Sequence, residues 1–315
     1  MEQAFPNLDD ISRQLMNVER QQKPKMLVVD DEPDNLDLLY RTFRRDFNVL
    51  KADSGINALS LLATEGEVAV IISDQRMPEM KGTEFLSKTV PQFPNTVRII
   101  LTGFTDVEDL VEAINSGQVY KYITKPWNPS ELRAVVQHAA QTYEVIKQRS
   151  EELELSHLQM NLFSSIVQVA QSSNSLESYL QLIAEGFGKN LKADSCILQL
   201  VSNNQLTKQQ GTYATYALEE NCLEQDQLVL GAISDRQPKV WVRNTRGKPP
   251  AGADYYDPLG IETHLLIPII YRNQLLAVLS LQWQQKTSKL PEDKLKLIYL
   301  SAQQVGLMLK DIHSP

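Results

Sequence analysis

The sequence predicts a parallel α/β domain, then a long helix, then an α+β domain with a mostly antiparallel sheet. Three observations carry this reading. Four short apolar runs ahead of residue 126 each end in a polar group. From Pro129 the apolar spacing turns helical, and no Gly or Pro occurs between Ser130 and Gly186. Farther on, apolar runs alternate with short polar turns. At 315 residues the chain exceeds the usual size of one domain, and its 42% hydrophobic residues suffice for two cores.

In order, Met26-Leu27-Val28-Val29 ends in Asp30 and Asp31. Val68-Ala69-Val70-Ile71-Ile72-Ser73 ends in Asp74, followed by Gln75-Arg76-Met77-Pro78-Glu79-Met80-Lys81-Gly82. Val97 to Leu101 ends in Thr102-Gly103, and Tyr120 to Ile123 ends in Thr124-Lys125-Pro126. In a parallel sheet these carboxyl ends share one edge, where such folds build their sites. Carboxylates brought that close repel one another unless a hard cation neutralises them, and an all-oxygen site suits Mg²⁺. A carboxylate nucleophile, a hydroxyl and an ammonium together equip a site to accept a phosphoryl group. Singly, each signal is an ordinary cap, turn or strand end; the order of all four is what points to chemistry.

That order resembles the receiver domain of two-component response regulators over roughly residues 24–145, which implies a flavodoxin-like, five-stranded parallel sheet. By this resemblance Asp74 is the phosphoacceptor, and Asp30 and Asp31 hold Mg²⁺ with Asp74 and the backbone carbonyl of Arg76. Lys125 pairs with the phosphoryl oxygens, Thr102 hydrogen-bonds one of them, and Tyr122 is the aromatic switch. Arg76 and Phe104 flank the site and govern how water reaches the acyl phosphate. The implied partner is a sensor histidine kinase, and the implied catalysis is limited to the domain's own phosphorylation and dephosphorylation, so no other enzyme is expected here.

A net charge of −8 and a pI near 5.2 argue against nucleic-acid binding, which relies on Lys and Arg at phosphates. Arg41, Arg44 and Arg45 read as a solvated helix face, and no helix-turn-helix stretch follows the first domain. Two cysteines, Cys196 and Cys222, make neither a disulfide framework nor a metal site. The longest apolar segment, Leu265 to Leu281, is interrupted by Pro268, Arg272 and Asn273, and the N-terminus lacks a signal peptide. The expected setting is cytoplasmic, without membrane contact.

Residues 130–172 read as a connecting helix. Val136, Ala139, Tyr143, Ile146, Leu153 and Met160 trace a heptad seam with Ser150 and His157 between them. Leu155, Leu158, Leu162, Ile166 and Val169 continue in a shifted register. This pattern suggests a coiled coil and a parallel homodimer. His157 lacks a following acidic residue and a nucleotide-binding domain downstream, so it reads as a seam residue and not as a kinase phosphosite. Residues 1–23 are an extension in which Leu8, Ile11, Leu15 and Val18 suit a short amphipathic helix, packed in cis or on a partner.

Residues 173–313 carry a helix over 178–191, Lys192-Ala193-Asp194 leading into a strand over 195–201, and Trp241 within the strand Lys239-Val240-Trp241-Val242. Two long strands, Thr263 to Ile269 and Gln274 to Leu281, and a closing helix with Leu295, Ile298, Ala302, Val305 and Leu309 complete the pattern. This order is similar to a GAF domain, a family whose members differ in ligand. A bilin is not expected, because Cys222 precedes Leu223 and Cys196 lies in a strand. A cyclic nucleotide is not expected either, since Asn244-Thr245 and Tyr255-Tyr256-Asp257 match that signature poorly. Trp241, Arg243, Tyr255 and His264 are the candidates to line a pocket. The whole reads as a response regulator without a DNA-binding output, acting through an unknown downstream protein or a small ligand. The rival is a sensory kinase, cyclase or phosphodiesterase lacking its catalytic domain.

Overall fold

The computed structural model describes residues 8, 10–12, 23–103, 119–172, 175–216, 223–243, 256–284 and 290–313. The chain divides into two compact units: residues 21–153, and residues 1–20 together with 154–315.

The first unit is built on β1 (Lys25–Val29), β2 (Asn48–Ala52), β3 (Val70–Asp74), β4 (Val97–Thr102) and β5 (Lys121–Thr124), all parallel, in the order β2-β1-β3-β4-β5. Helices α1 (Pro33–Phe43), α2 (Gly55–Glu65) and α3 (Gly82–Thr89) lie between them in sequence. The chain moves outward from β1 to β2 and then returns to the other side of β1 as β3. This reversal makes a switch point, so the carboxyl ends of β1 and β3 stand side by side.

The continuous apolar runs are explained by burial on both faces. Met26 and Val28 join one core with Leu39, Phe43, Leu132 and Val136, whereas Leu27 and Val29 join the other with Ala58, Leu62, Phe85 and Leu86. Local signals agree with this fold. Pro33 opens α1, the Ser54 hydroxyl caps α2 by accepting from the Asn57 N–H at 3.3 Å, and Gly66 ends α2 at φ 77°.

Helix α4 runs unbroken from Pro129 to Ser172. Its faces correct the heptad reading in one respect. Val136, Ala139 and Tyr143 are not a free seam but part of the first unit's core, and the shifted register at Leu162, Ile166 and Val169 is the helix's contribution to the core of the second unit. Ile146, Leu153 and Met160 remain exposed.

The second unit carries an antiparallel sheet in the order β7-β6-β10-β9-β8, formed by β6 (Ser195–Ser202), β7 (Gln205–Ala214), β8 (Lys239–Val242), β9 (Thr263–Tyr271) and β10 (Gln274–Trp283). The alternation of β6 is plain: Cys196, Leu198 and Leu200 face one core, and Ile197 and Val201 the other. Helices α5 (Leu176–Leu191) and α7 (Glu292–His313) supply the first core, and α6 (Gln227–Asp235) the second. The tight turns at Asn203-Asn204 and Arg272-Asn273 both hold positive φ at their two central positions, which matches the strand twist of a two-residue hairpin. A Cβ on Gly211 would lie 2.0 Å from the Leu180 carbonyl oxygen, so glycine lets α5 approach the sheet.

The N-terminal segment packs in cis, one of the two alternatives its amphipathic pattern leaves open. Leu8, Ile11 and Ser12 are buried, and Leu8 and Ile11 share a core cluster with Leu162, Ile166, Val169 and the helices of the second unit. Leu15 and Val18 lie outside the described residues. Leu8→Ala and Ile11→Ala should each destabilise this unit by roughly 2 kcal/mol, the lower end for core truncations. Hydrogen exchange checks this: amides of β9 and β10 should exchange faster while those of β1 and β3 do not change.

Candidate functional site

The carboxyl edge of the first sheet gathers Asp30, Asp74 and Lys125. Asp30 is fully buried beyond the end of β1, and Asp74 is buried as the last residue of β3. The Lys125 ammonium, just past β5, lies 3.2 Å from Asp30 Oδ2 and pairs more tightly with Asp74 Oδ1. Each carboxylate is further held. Asp30 Oδ1 accepts from the Glu32 N–H at 3.0 Å and from the Asn35 amide at 3.1 Å, while Asp74 Oδ2 accepts from the Arg76 N–H at 2.8 Å.

The loop after Asp74 is fixed by its own backbone. The Gly82 N–H donates to the Gln75 carbonyl at 3.1 Å, and the Thr83 N–H donates to Gln75 Oε1 at the same distance. A Cβ at Gly82 would sit 2.1 Å from the Asp74 carbonyl oxygen, so only glycine lets α3 begin there.

The electrostatics follow from burial. Desolvation pushes the Asp74 carboxyl above its ordinary range; the hydrogen bond and charge of Lys125 oppose this, and the charge of Asp30 adds to it. Burial alone would lower the Lys125 ammonium, but the hydrogen bond to Asp74 and the charges of Asp30 and Asp74 hold it above its usual value.

The other sequence candidates sit around this centre. Thr102, buried at the end of β4, donates its hydroxyl to the Gly103 carbonyl at 3.0 Å. Tyr122 on β5 is 37% exposed. Asp31 is exposed, and among the described residues no group of three or more His, Cys, Asp or Glu side chains is arranged to hold a metal ion. Phe104 lies outside the described residues.

The second unit contains a buried polar quartet. His264 on β9 lies with Nε2 2.8 Å from the Ser280 hydroxyl on β10, and with Nδ1 3.1 Å from the Tyr256 hydroxyl and 3.3 Å from Asp226 Oδ2. Tyr256 donates to Asp226 at 2.7 Å, and Asp226 caps α6 by accepting from the Leu228 N–H at 2.8 Å. Trp241 lies against Tyr256 at 4.2 Å between ring centres, with the rings tilted by 38°. The structure therefore brings Trp241 and His264 together. It leaves Arg243 in ion pairs with Asp257 and Glu262 instead. Tyr255 lies outside the described residues.

Sequence reasoning missed Asp226, Tyr256 and Ser280. The one available signal was Asp226 as a helix cap ahead of Leu228. Burial would raise the Asp226 carboxyl, but hydrogen bonds from His264, Tyr256 and the Leu228 N–H, with the charge of His264, hold it below the usual range.

Fold and site together define a parallel α/β module of the receiver class joined to a second, α+β module. A model of the response regulator receiver domain matches residues 26–137, and one of the GAF domain matches residues 175–309. The chain belongs to the two-component response regulators, with an N-terminal receiver and a C-terminal GAF domain. It is 42% identical over 116 residues to the hydrogenase transcriptional regulatory protein HoxA of Cupriavidus necator, covering 37% of this chain and 24% of that protein. It is 37% identical over 115 residues to an uncharacterised 14.6 kDa protein of Leptolyngbya boryana, covering 36% of this chain and 86% of that one. A structure described as adenylate cyclase from Rhodopirellula baltica is 34% identical, covering 42% of this chain and 97% of that chain, with a TM-score of 0.41. The chain spans about a quarter of the length of the HoxA proteins it matches.

Two stability outcomes follow from these carboxylates. A carboxyl raised in the folded state favours folding below the ordinary carboxylate range and costs stability once pH passes its folded value. Asp74→Asn should therefore raise the melting temperature of the receiver at neutral pH, with the gain shrinking toward about pH 4. Asp226 has the opposite sign, since a depressed carboxyl stabilises above the ordinary range and loses that effect as pH falls through its folded value. Asp226→Asn should cost the GAF unit about 1–3 kcal/mol at neutral pH, with the difference narrowing in acid, as read by urea unfolding at several pH values.

Proposed function

We propose that this response regulator accepts a phosphoryl group on Asp74 from a sensor histidine kinase and passes the change through α4 to the GAF domain. The observation that carries this reading is the Lys125 ammonium set against both Asp30 and Asp74 at the switch point of the sheet. An Asp74 carboxylate oxygen attacks the phosphorus of a phosphohistidine; the P–O bond forms as the P–N bond breaks, and the imidazole leaves with the electron pair. The site mainly aligns and neutralises. Lys125 follows the charge onto the phosphoryl oxygens, and the Thr102 hydroxyl exchanges the Gly103 carbonyl for one of them. Tyr122 then turns into the space so vacated, and the surface beside β5 changes.

The donor chemistry is of the kind Mg²⁺ takes, since the buried carboxylates offer oxygen only; in this arrangement Asp30 and Asp74 face the Lys125 ammonium, and Asp31 would have to join them to complete the set. Asp30, Asp31, Asp74 and the Arg76 carbonyl would hold the ion, whose charge would stabilise the transferring phosphoryl group. Beyond its own modification the domain performs no catalysis.

The output is a protein interaction or ligand response of the GAF domain, in a homodimer, with no contact to nucleic acid or membrane. The net charge of −8 supports the first exclusion. No described helix is long and apolar enough to cross a membrane. Cys196 is buried, and desolvation pushes its thiol far up, which leaves it unsuited to bilin attachment. We assign the protein to the cytoplasm, where its kinase and downstream partner would meet it.

Phos-tag electrophoresis with Mg²⁺ and a small phosphodonor tests the reading. Wild type should shift, Asp74→Ala should not, and Lys125→Ala should be modified about 10²-fold more slowly, the scale for loss of one preorganised charge partner. A shift that survives in Asp74→Ala would move the phosphosite elsewhere.

A further inference from the structure

Between the stretch of α4 that fills the receiver core and the stretch that fills the GAF core, the helix carries apolar side chains that neither core covers. Ile146, Leu153 and Met160 are 39%, 62% and 66% exposed. They recur at intervals of seven, with Ser150 and His157 midway between them on the same face. A strict seven-residue repeat drifts around a lone straight helix and keeps one face only against a partner helix with a left-handed supercoil. A face that served solvent alone would have no reason to hold this spacing.

We infer that α4 pairs with α4 of a second copy of this chain, parallel and in register, along the seam Ile146, Ser150, Leu153, His157 and Met160. The inference rests on the homodimer proposed above and specifies its interface. The flanking charges favour this occupant. Arg149 and Glu154, both exposed, stand on opposite borders of the seam and five residues apart. In a parallel pair this offset sets Arg149 of each copy against Glu154 of the other, so symmetry forms the bridge twice. Glu154 also lies within the electrostatic reach of Lys294 on α7, an interaction its exposed carboxylate can share. Ser150 and His157 take the core positions between the apolar residues. Polar groups there lower the stability of the pair but fix its register, because a slipped pair would set them against methyl and thioether groups.

Light scattering on the full chain, with and without the phosphodonor, combined with cysteine cross-linking, tests this. The chain should run as a dimer in at least one of the two conditions, and Leu153→Glu with Met160→Glu should make it monomeric. Leu153→Cys and Met160→Cys should each cross-link to their own copies under mild oxidation, while Glu151→Cys on the outer face should not exceed the wild-type background. Arg149→Glu should weaken the dimer about tenfold, and adding Glu154→Arg should restore it. His157→Leu should tighten the dimer. A dimer that ignores these substitutions and gives no cross-link at 153 or 160 would overturn the seam and leave the homodimer standing. A monomer at every concentration in both conditions would overturn the homodimer, and the seam with it.

Discussion

Two buried carboxylates that share one ammonium are the constraint on which the receiver depends. Asp30 is fully buried and Asp74 nearly so, and burying such groups is costly unless they are paired and hydrogen-bonded, which Lys125 and the N–H groups that flank them provide. The fold is arranged to allow this. The winding order of the parallel strands reverses at β1 and β3, so that both acids leave adjacent strands, and the lysine follows β5, two strands from β3. Gly82 lets α3 start against the Asp74 carbonyl and closes the loop that carries the Arg76 N–H. The centre is strained electrostatically and well held mechanically. That combination suits a group whose charge is meant to change.

The second constraint is continuity. Helix α4 is 44 residues long without a break, contributes Tyr143 to one core and Leu162 to another, and so belongs to both units in turn. The N-terminal segment adds a connection of its own, because Leu8 and Ile11 lie in the GAF core. In sequence the receiver therefore lies between two pieces of the other unit. A transmitted signal needs an element with two arrangements, and the exposed middle of α4 is where packing within the chain leaves that freedom.

Legibility in the sequence followed the range of the interactions. Strands β1, β3 and β4 were plain because burial on both faces forces unbroken apolar runs, and Asp30, Asp74 and Thr102 stand at the ends of those runs; half-exposed β2 gave no such run and was not read. The hairpins at Asn203-Asn204 and Arg272-Asn273 rest on local turn chemistry, with positive φ at both central residues. The burial of Leu8 and Ile11 was not, since the amphipathic pattern shows an apolar face without naming what covers it. The heptad reading of α4 was right about a long helix and blind to its division, because Tyr143 and Ile146 look alike in sequence and differ only in what lies opposite them. Asp226, Tyr256 and Ser280 were hidden for a related reason. They come from a helix cap, a loop and a strand with no common period, and only the fold brings them to His264.

The quartet also decides how the GAF domain treats the candidates Trp241 and His264. A ligand-lining polar group is useful when its hydrogen bonds await a partner; here both nitrogens of His264 are engaged, Asp226 is taken up by Tyr256 and the α6 N-terminus, and Trp241 lies against the Tyr256 ring. A ligand at that point would have to replace several satisfied buried bonds, each costing about 1–3 kcal/mol if left unmade. The physical role that fits is a latch joining α6, the chain at Tyr256 and strands β9 and β10 into one body. A GAF domain held in this way is not arranged to open a pocket at His264.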